Sequence, residues 1–227
     1  MEKKVSPKKE DNFAPKTSGV SPKFSGLSGR LFGIIKFILG VCLLPFVWSA
    51  SLSFFNESSL IEKPLQDYFW AGVITFLVIY LFIYEPAIIY RKGYRLMEIV
   101  FSFFAPLVKV APYVLPIYAL LVFAGYLLGA QVFKTPGLIN YFMFLFAFSI
   151  ALHIVFSAKA VRSKQEDFLK ANYIFGFSLI YIIDLLLLAF CLNIIFKEFS
   201  FLNFSNNAFQ LAKEKFYIIF KQLFLIK

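Results

Sequence analysis

Residues 138–161 read LINYFMFLFAFSIALHIVFSAKAV, and residues 173–196 read YIFGFSLIYIIDLLLLAFCLNIIF. Each run is near the roughly 20 residues an α-helix needs to cross a hydrocarbon layer. Each also carries an ionisable side chain well inside, His153 in the first and Asp184 in the second. Runs of this kind are too long and too apolar for the face of a soluble core helix, whereas lipid accepts them on every side. They decide the fold class: all-α, a polytopic membrane helical bundle.

Working outward, three further apolar runs fall at Leu31–Phe55, Tyr68–Tyr90 and Val110–Phe133, which makes five expected spans. Two stretches have the pattern of amphipathic helices instead. In Tyr94–Lys109, Arg95, Glu98 and Ser102 gather opposite Met97, Phe101 and Phe104 at about 100° per residue. In Asn206–Lys227, Phe209, Ala212, Phe216 and Phe220 share one face, and Glu214, Lys215 and Lys221 the other. Both are expected to lie in the headgroup plane, the second on the outer surface. Residues 1–29 are rich in Lys, Ser, Pro and Gly and poor in aliphatics, the composition of a basic, disordered tail. The expected organisation is therefore 1–29 tail, 30–196 transmembrane domain and 197–227 amphipathic C-terminal helix.

Composition agrees. Apolar residues make up 60% of the 227 residues and charged residues 16%, with 32 phenylalanines. A soluble domain is about a quarter charged. The net charge of +10 does not point to nucleic acid, because the basic residues sit in the tail and in short connections. The tail, Arg91–Arg95 and Lys159–Lys170 hold most of them, while the alternate connections hold one lysine each. The positive-inside rule then predicts a cytoplasmic N-terminus and an outer C-terminus in a cell membrane, such as a bacterial inner membrane. Cys42 and Cys191 lie in separate spans with no CxxC spacing and read as small apolar side chains.

The chemistry-bearing candidates are few. His153 is the one histidine in the chain, which excludes any site needing two imidazoles. Lys36, one turn into the first span, is expected to snorkel to the surface. Glu85, His153 and Asp184 form the candidate intramembrane polar site, since ionisable groups at these depths face a protein interior or a water-filled path. Asp184 lies deepest and is expected to be partnered or protonated. Gly125 and Gly129 form a GxxxG read as a close helix-packing face. Pro112 and Pro116 are expected to bend the start of the third span and free backbone carbonyls. No phosphate loop, nucleophile elbow or cysteine knuckle is present, so no cofactor is expected.

The runs APYVLPIYALLVFAGYL (111–127), AFSIALHIVFSAKAVRSKQEDF (147–168) and ANYIFGFSLIYIIDLLLL (171–188) resemble the second half of the site-two-protease-like membrane zinc metallopeptidases. The matching residues are Ala111, Pro112, Tyr113, Pro116, Tyr118, His153, Gln165, Asp167, Gly176 and Ser178. That family carries an HExxH helix upstream of the APY run, supplying two zinc ligands and the general base. Here the corresponding interval, EPAIIYRKGYRLMEIVFSFFAPLVKV (85–110), has no histidine. The resemblance therefore implies an inactive relative with no metal and no catalytic residue, a scaffold or partner-binding subunit. The alternative is a transport or channel component with a proton or ion path through Glu85, His153 and Asp184. Either way the expected partners are the lipid bilayer and other membrane proteins or a second copy.

Overall fold

The computed structural model describes residues 26–83, 86–103, 105–132, 135, 137–163 and 173–224. Glu85, Gln165 and Asp167, named above, lie outside the described residues, as does the tail up to residue 25. The described elements are helical: α1 (Gly26–Ser58), α2 (Lys63–Val78), α3 (Ala87–Val100), α4 (Ala105–Val114), α5 (Ile117–Val132), α6 (Leu138–Ser163), α7 (Tyr173–Ile195) and α8 (Phe201–Phe224). A π-helical turn, Ile79–Ile83, prolongs α2.

Four helices are long and apolar enough to cross a membrane: Gly33–Ser58, Lys63–Ile83, Leu138–Arg162 and Tyr173–Ile195. The third expected span is divided. Pro116 has no N–H and Ile117 bonds only two residues back, onto the Leu115 carbonyl at 2.9 Å, so α4 ends at Val114 and four-residue spacing resumes with Leu120 on the Pro116 carbonyl at 3.0 Å. What remains is α5, 16 residues or about 24 Å, shorter than the other four. The expected amphipathic helix over Tyr94–Lys109 is also broken. The chain starts the helix earlier, at Ala87, and turns at Phe101 with φ −98° and ψ 13°. Pro106 then sits in the first turn of α4, where its missing N–H costs nothing.

At the centre lies α6. Parallel α2 packs on it, with Phe76 against Phe148 (5.4 Å between ring centroids) and Tyr80 against Phe156 (5.9 Å). Antiparallel α5 packs on its other side, with Tyr126 against Phe142 at 4.5 Å. Through α7 the bundle joins α1, which runs parallel to α7: Gly40 meets Phe175, and Ser51 Oγ lies 2.9 Å from Tyr181 Oη. The buried core is aromatic, built on Phe54, Phe142, Phe146, Phe199 and Phe204 with Leu188 and Leu192.

Small residues permit the close approaches, but not those the GxxxG suggested. A Cβ on Gly72 would collide with the main-chain oxygen of Phe144, and one on Gly40 would lie 2.8 Å from the Phe175 nitrogen. A Cβ on Gly125 would meet nothing within 4 Å, and one on Gly129 only a Leu138 methyl at 3.5 Å. Among the described residues Gly40 and Gly72 thus pack closely on backbone, and Gly93 on the Tyr118 ring, 2.6 Å from where its Cβ would stand. Lys36 also departs from expectation, its side chain being buried at 2% exposure.

The largest difference is α8. Ser200 caps it, its Oγ accepting the Asn203 N–H at 3.2 Å, and the helix then doubles back antiparallel along α1. The Ser200 N–H reaches the Glu57 carboxylate (3.4 Å), Ser53 Oγ donates to the Phe204 carbonyl (2.8 Å), and Phe46 packs on Phe216 (5.3 Å). Ser49, Ser53 and Glu57 recur every four residues on α1, all at or under 5% exposure, and Phe204 and Ala212 of α8 are as deeply buried. Small side chains at this spacing let the two backbones approach. The C-terminal helix is thus packed lengthwise on α1.

Candidate functional site

His153 and Ser157 stand one turn apart on the same face of α6, with Ser149 a turn before, and all three are buried. Across from them Asp184 of α7 is 1% exposed. The Nε2 atom of His153 lies 3.5 Å from Asp184 Oδ1 and 3.3 Å from Ser157 Oγ. Ser157 Oγ in turn lies 3.4 Å from the hydroxyl of Tyr90 on α3. The Tyr90 ring is held by stacking on Phe156, 5.2 Å between centroids and 19° between planes. Four side chains from three helices thus form one polar chain, Tyr90–Ser157–His153–Asp184.

The backbone of α4 closes it. The ring of His153 is hydrogen-bonded to the main chain of Tyr113. Proline chemistry explains why that carbonyl is available. In an uninterrupted helix the Tyr113 carbonyl would receive the Ile117 N–H, but at the Pro116 break Ile117 bonds to Leu115 instead, at 2.9 Å. A neutral imidazole has one donor and one acceptor. With the donor used on Tyr113, only the acceptor remains for the groups at Nε2.

Asp184 is the anomaly. Neither of its carboxyl oxygens has a hydrogen-bond partner among the described residues, although both are buried. The pair has two neutral forms, imidazole with carboxylic acid and imidazolium with carboxylate, which differ only in which atom holds one proton. Loss of that proton would leave an uncompensated anion in the interior. The arrangement is therefore chemically a one-proton store, connected through Ser157 to a phenol.

Of the residues singled out from sequence, His153 and Asp184 meet, while Glu85 lies outside the described residues. Ala111 and Pro116 are buried, and Tyr118 Oη donates to the Ile89 carbonyl at 2.6 Å, tying α5 to α3. Gly176 and Ser178 are buried on α7. Tyr90 was missed, since a tyrosine next to Arg91 reads as an interfacial anchor. Glu57 was missed as well, because FNES reads as a loop although α1 continues through Ser58. The i, i+4, i+8 spacing of Ser49, Ser53 and Glu57 was the available signal. Among the described residues no group of three or more His, Cys, Asp or Glu side chains is arranged to hold a metal.

No family model, characterised protein or solved structure matches the chain, so the resemblance to the site-two-protease-like enzymes rests on its motif residues alone.

Proposed function

We propose that this is a multi-pass membrane protein that moves or stores a proton at His153–Asp184, as a component of a transport or channel system. One observation carries the reading: a carboxyl group 1% exposed, with neither oxygen hydrogen-bonded among the described residues, 3.5 Å from an imidazole. A group kept only to hold helices together satisfies its hydrogen bonds, because an unsatisfied buried polar atom costs more than the bond contributes. A proton-handling carboxyl needs a vacant acceptor and a nearby exchange partner, and Asp184 has both. Tyr90 and Ser157 extend the path toward the end of the bundle that carries Arg91, Lys92 and Arg162.

The topology that goes with this reading keeps the N-terminus cytoplasmic, with the basic ends of α3 and α6 on the same side. It revises the C-terminus. The 24 residues of α8 extend about 36 Å, enough to return through the layer beside α1.

The experiment is proton flux in proteoliposomes under an imposed pH gradient, with an infrared readout of the protonated carboxyl stretch. The wild type should pass protons and show that band. Asp184→Asn should fold normally, lose the band and abolish the flux. Equal flux from wild type and Asp184→Asn refutes the proposal.

The second reading is a catalytically inactive relative of the membrane zinc metallopeptidases that serves as a scaffold. It is favoured by the motif run from Ala111 to Pro116, which supplies the Tyr113 main chain bonded to His153. Under that reading His153→Leu leaves cellular function intact.

A further inference from the structure

Only a stripe of α8 faces α1: Phe204 and Ala212 are buried and Ala208 partly so, while most of the remaining circumference is exposed. The contacts from Glu57–Ser200 to Phe46–Phe216 follow α1 for about 16 Å, half the thickness of a ~30 Å hydrocarbon layer. The face turned away from α1 over this stretch is polar. Asn203 and Gln210, seven residues apart, form its midline, with Asn206 and Lys213 on one flank and Asn207 and Glu214 on the other, all exposed. Hydrocarbon can satisfy none of these groups.

We propose that this face is the seam of a two-fold homodimer within the membrane. Two copies inserted the same way have the same orientation, so their α8 helices meet in parallel about an axis along the membrane normal. On such an axis each midline residue meets itself. An amide carries both donor and acceptor and so pairs with its own copy, as Asn203 and Gln210 would. A carboxylate or ammonium on the midline would repel its copy. The flanks cross: Lys213 meets the partner's Glu214 and Glu214 meets the partner's Lys213, two reciprocal ion pairs at one level, while Asn206 meets the partner's Asn207. The seven-residue spacing is the period of a parallel helical seam. The chemistry of this stripe thus selects a second copy of the chain. The inference rests on the membrane reading and not on His153–Asp184, and its readout is separate from proton flux.

The test is oxidative cross-linking of the full chain in native membranes. Cys42, exposed on α1, is first replaced by alanine, while Cys191 is buried and stays. Gln210→Cys and Asn203→Cys should give a band at twice the chain mass, roughly tenfold stronger than Phe209→Cys on the adjacent lipid-facing side. Adding Glu214→Lys to the Gln210→Cys chain should weaken the band severalfold, and the swap Lys213→Glu/Glu214→Lys should restore it. The proposal is overturned by bands no stronger than the Phe209→Cys control, by cross-links to a different protein, or by single-chain particles in nanodiscs.

Discussion

Replacing Asp184 with leucine should stabilise the folded bundle. The carboxyl is 1% exposed and neither oxygen makes a hydrogen bond among the described residues, so the substitution forfeits only the 3.5 Å contact with His153. It removes the desolvation penalty of a buried polar group, about 1–3 kcal/mol. Leucine is slightly larger than aspartate, and repacking takes back a fraction, leaving a gain of about 1–2 kcal/mol. For a chain of this size that corresponds to a rise of roughly 2–8 °C in Tm, read by thermal unfolding in detergent micelles. His153→Leu acts in the opposite direction. It gives up the Ser157 and Tyr113 bonds, worth about 0.6 kcal/mol each in a membrane bundle, and leaves the carboxyl beside an apolar side chain. The double variant His153→Leu/Asp184→Leu should recover most of that loss, because no polar group is then stranded. A cycle over the four proteins should give a coupling of about 1 kcal/mol or more between the two sites. If Asp184→Leu instead lowers Tm by several degrees, Asp184 is a satisfied member of a structural network and the proton-store argument fails.

Gly72→Leu should prevent normal assembly or destabilise by about 3 kcal/mol or more, since its Cβ runs into the Phe144 backbone oxygen and no rotamer relieves that clash. Gly125→Ala should be neutral to stabilising by up to about 1 kcal/mol, because its Cβ meets nothing within 4 Å and alanine favours the helix. Tyr118→Phe should cost about 0.5–1.5 kcal/mol through the lost bond to the Ile89 carbonyl, with proton flux retained; thermal unfolding and the liposome assay check both halves. Ser53→Val should loosen α8 by removing its 2.8 Å bond to the Phe204 carbonyl, seen as faster amide exchange in α8 than in α6.

The spans at Leu138–Ser163 and Tyr173–Ile195 were legible almost to the residue, because a run of Phe, Leu and Ile near 20 residues long has one stable setting, a helix in lipid. That His153 and Asp184 face inward was legible for the same reason: hydrocarbon does not solvate them. Periodicity, however, reports only that a helix has two faces. It could not say that the polar face of α8 turns away from α1, because that depends on the four-residue run of Ser49, Ser53 and Glu57 on a helix some 150 residues earlier. Small residues behave in a related way: their spacing permits close approach, but only a neighbour makes it happen. Gly72, isolated in sequence, has that neighbour in α6, and Gly125 has none within 4 Å.

The amino-acid sequence by itself determined that this chain forms helices long and apolar enough to cross a membrane, which of its groups are too polar to face lipid, and where proline would free a carbonyl. All three follow from local chemistry and from the solvent. Only the tertiary structure decided that the freed Tyr113 carbonyl meets His153, that His153 stands 3.5 Å from an Asp184 with no hydrogen-bond partner among the described residues, and that Tyr90 joins them through Ser157. Those pairings depend on the rotation and register of four helices against one another, and packing between distant segments sets both.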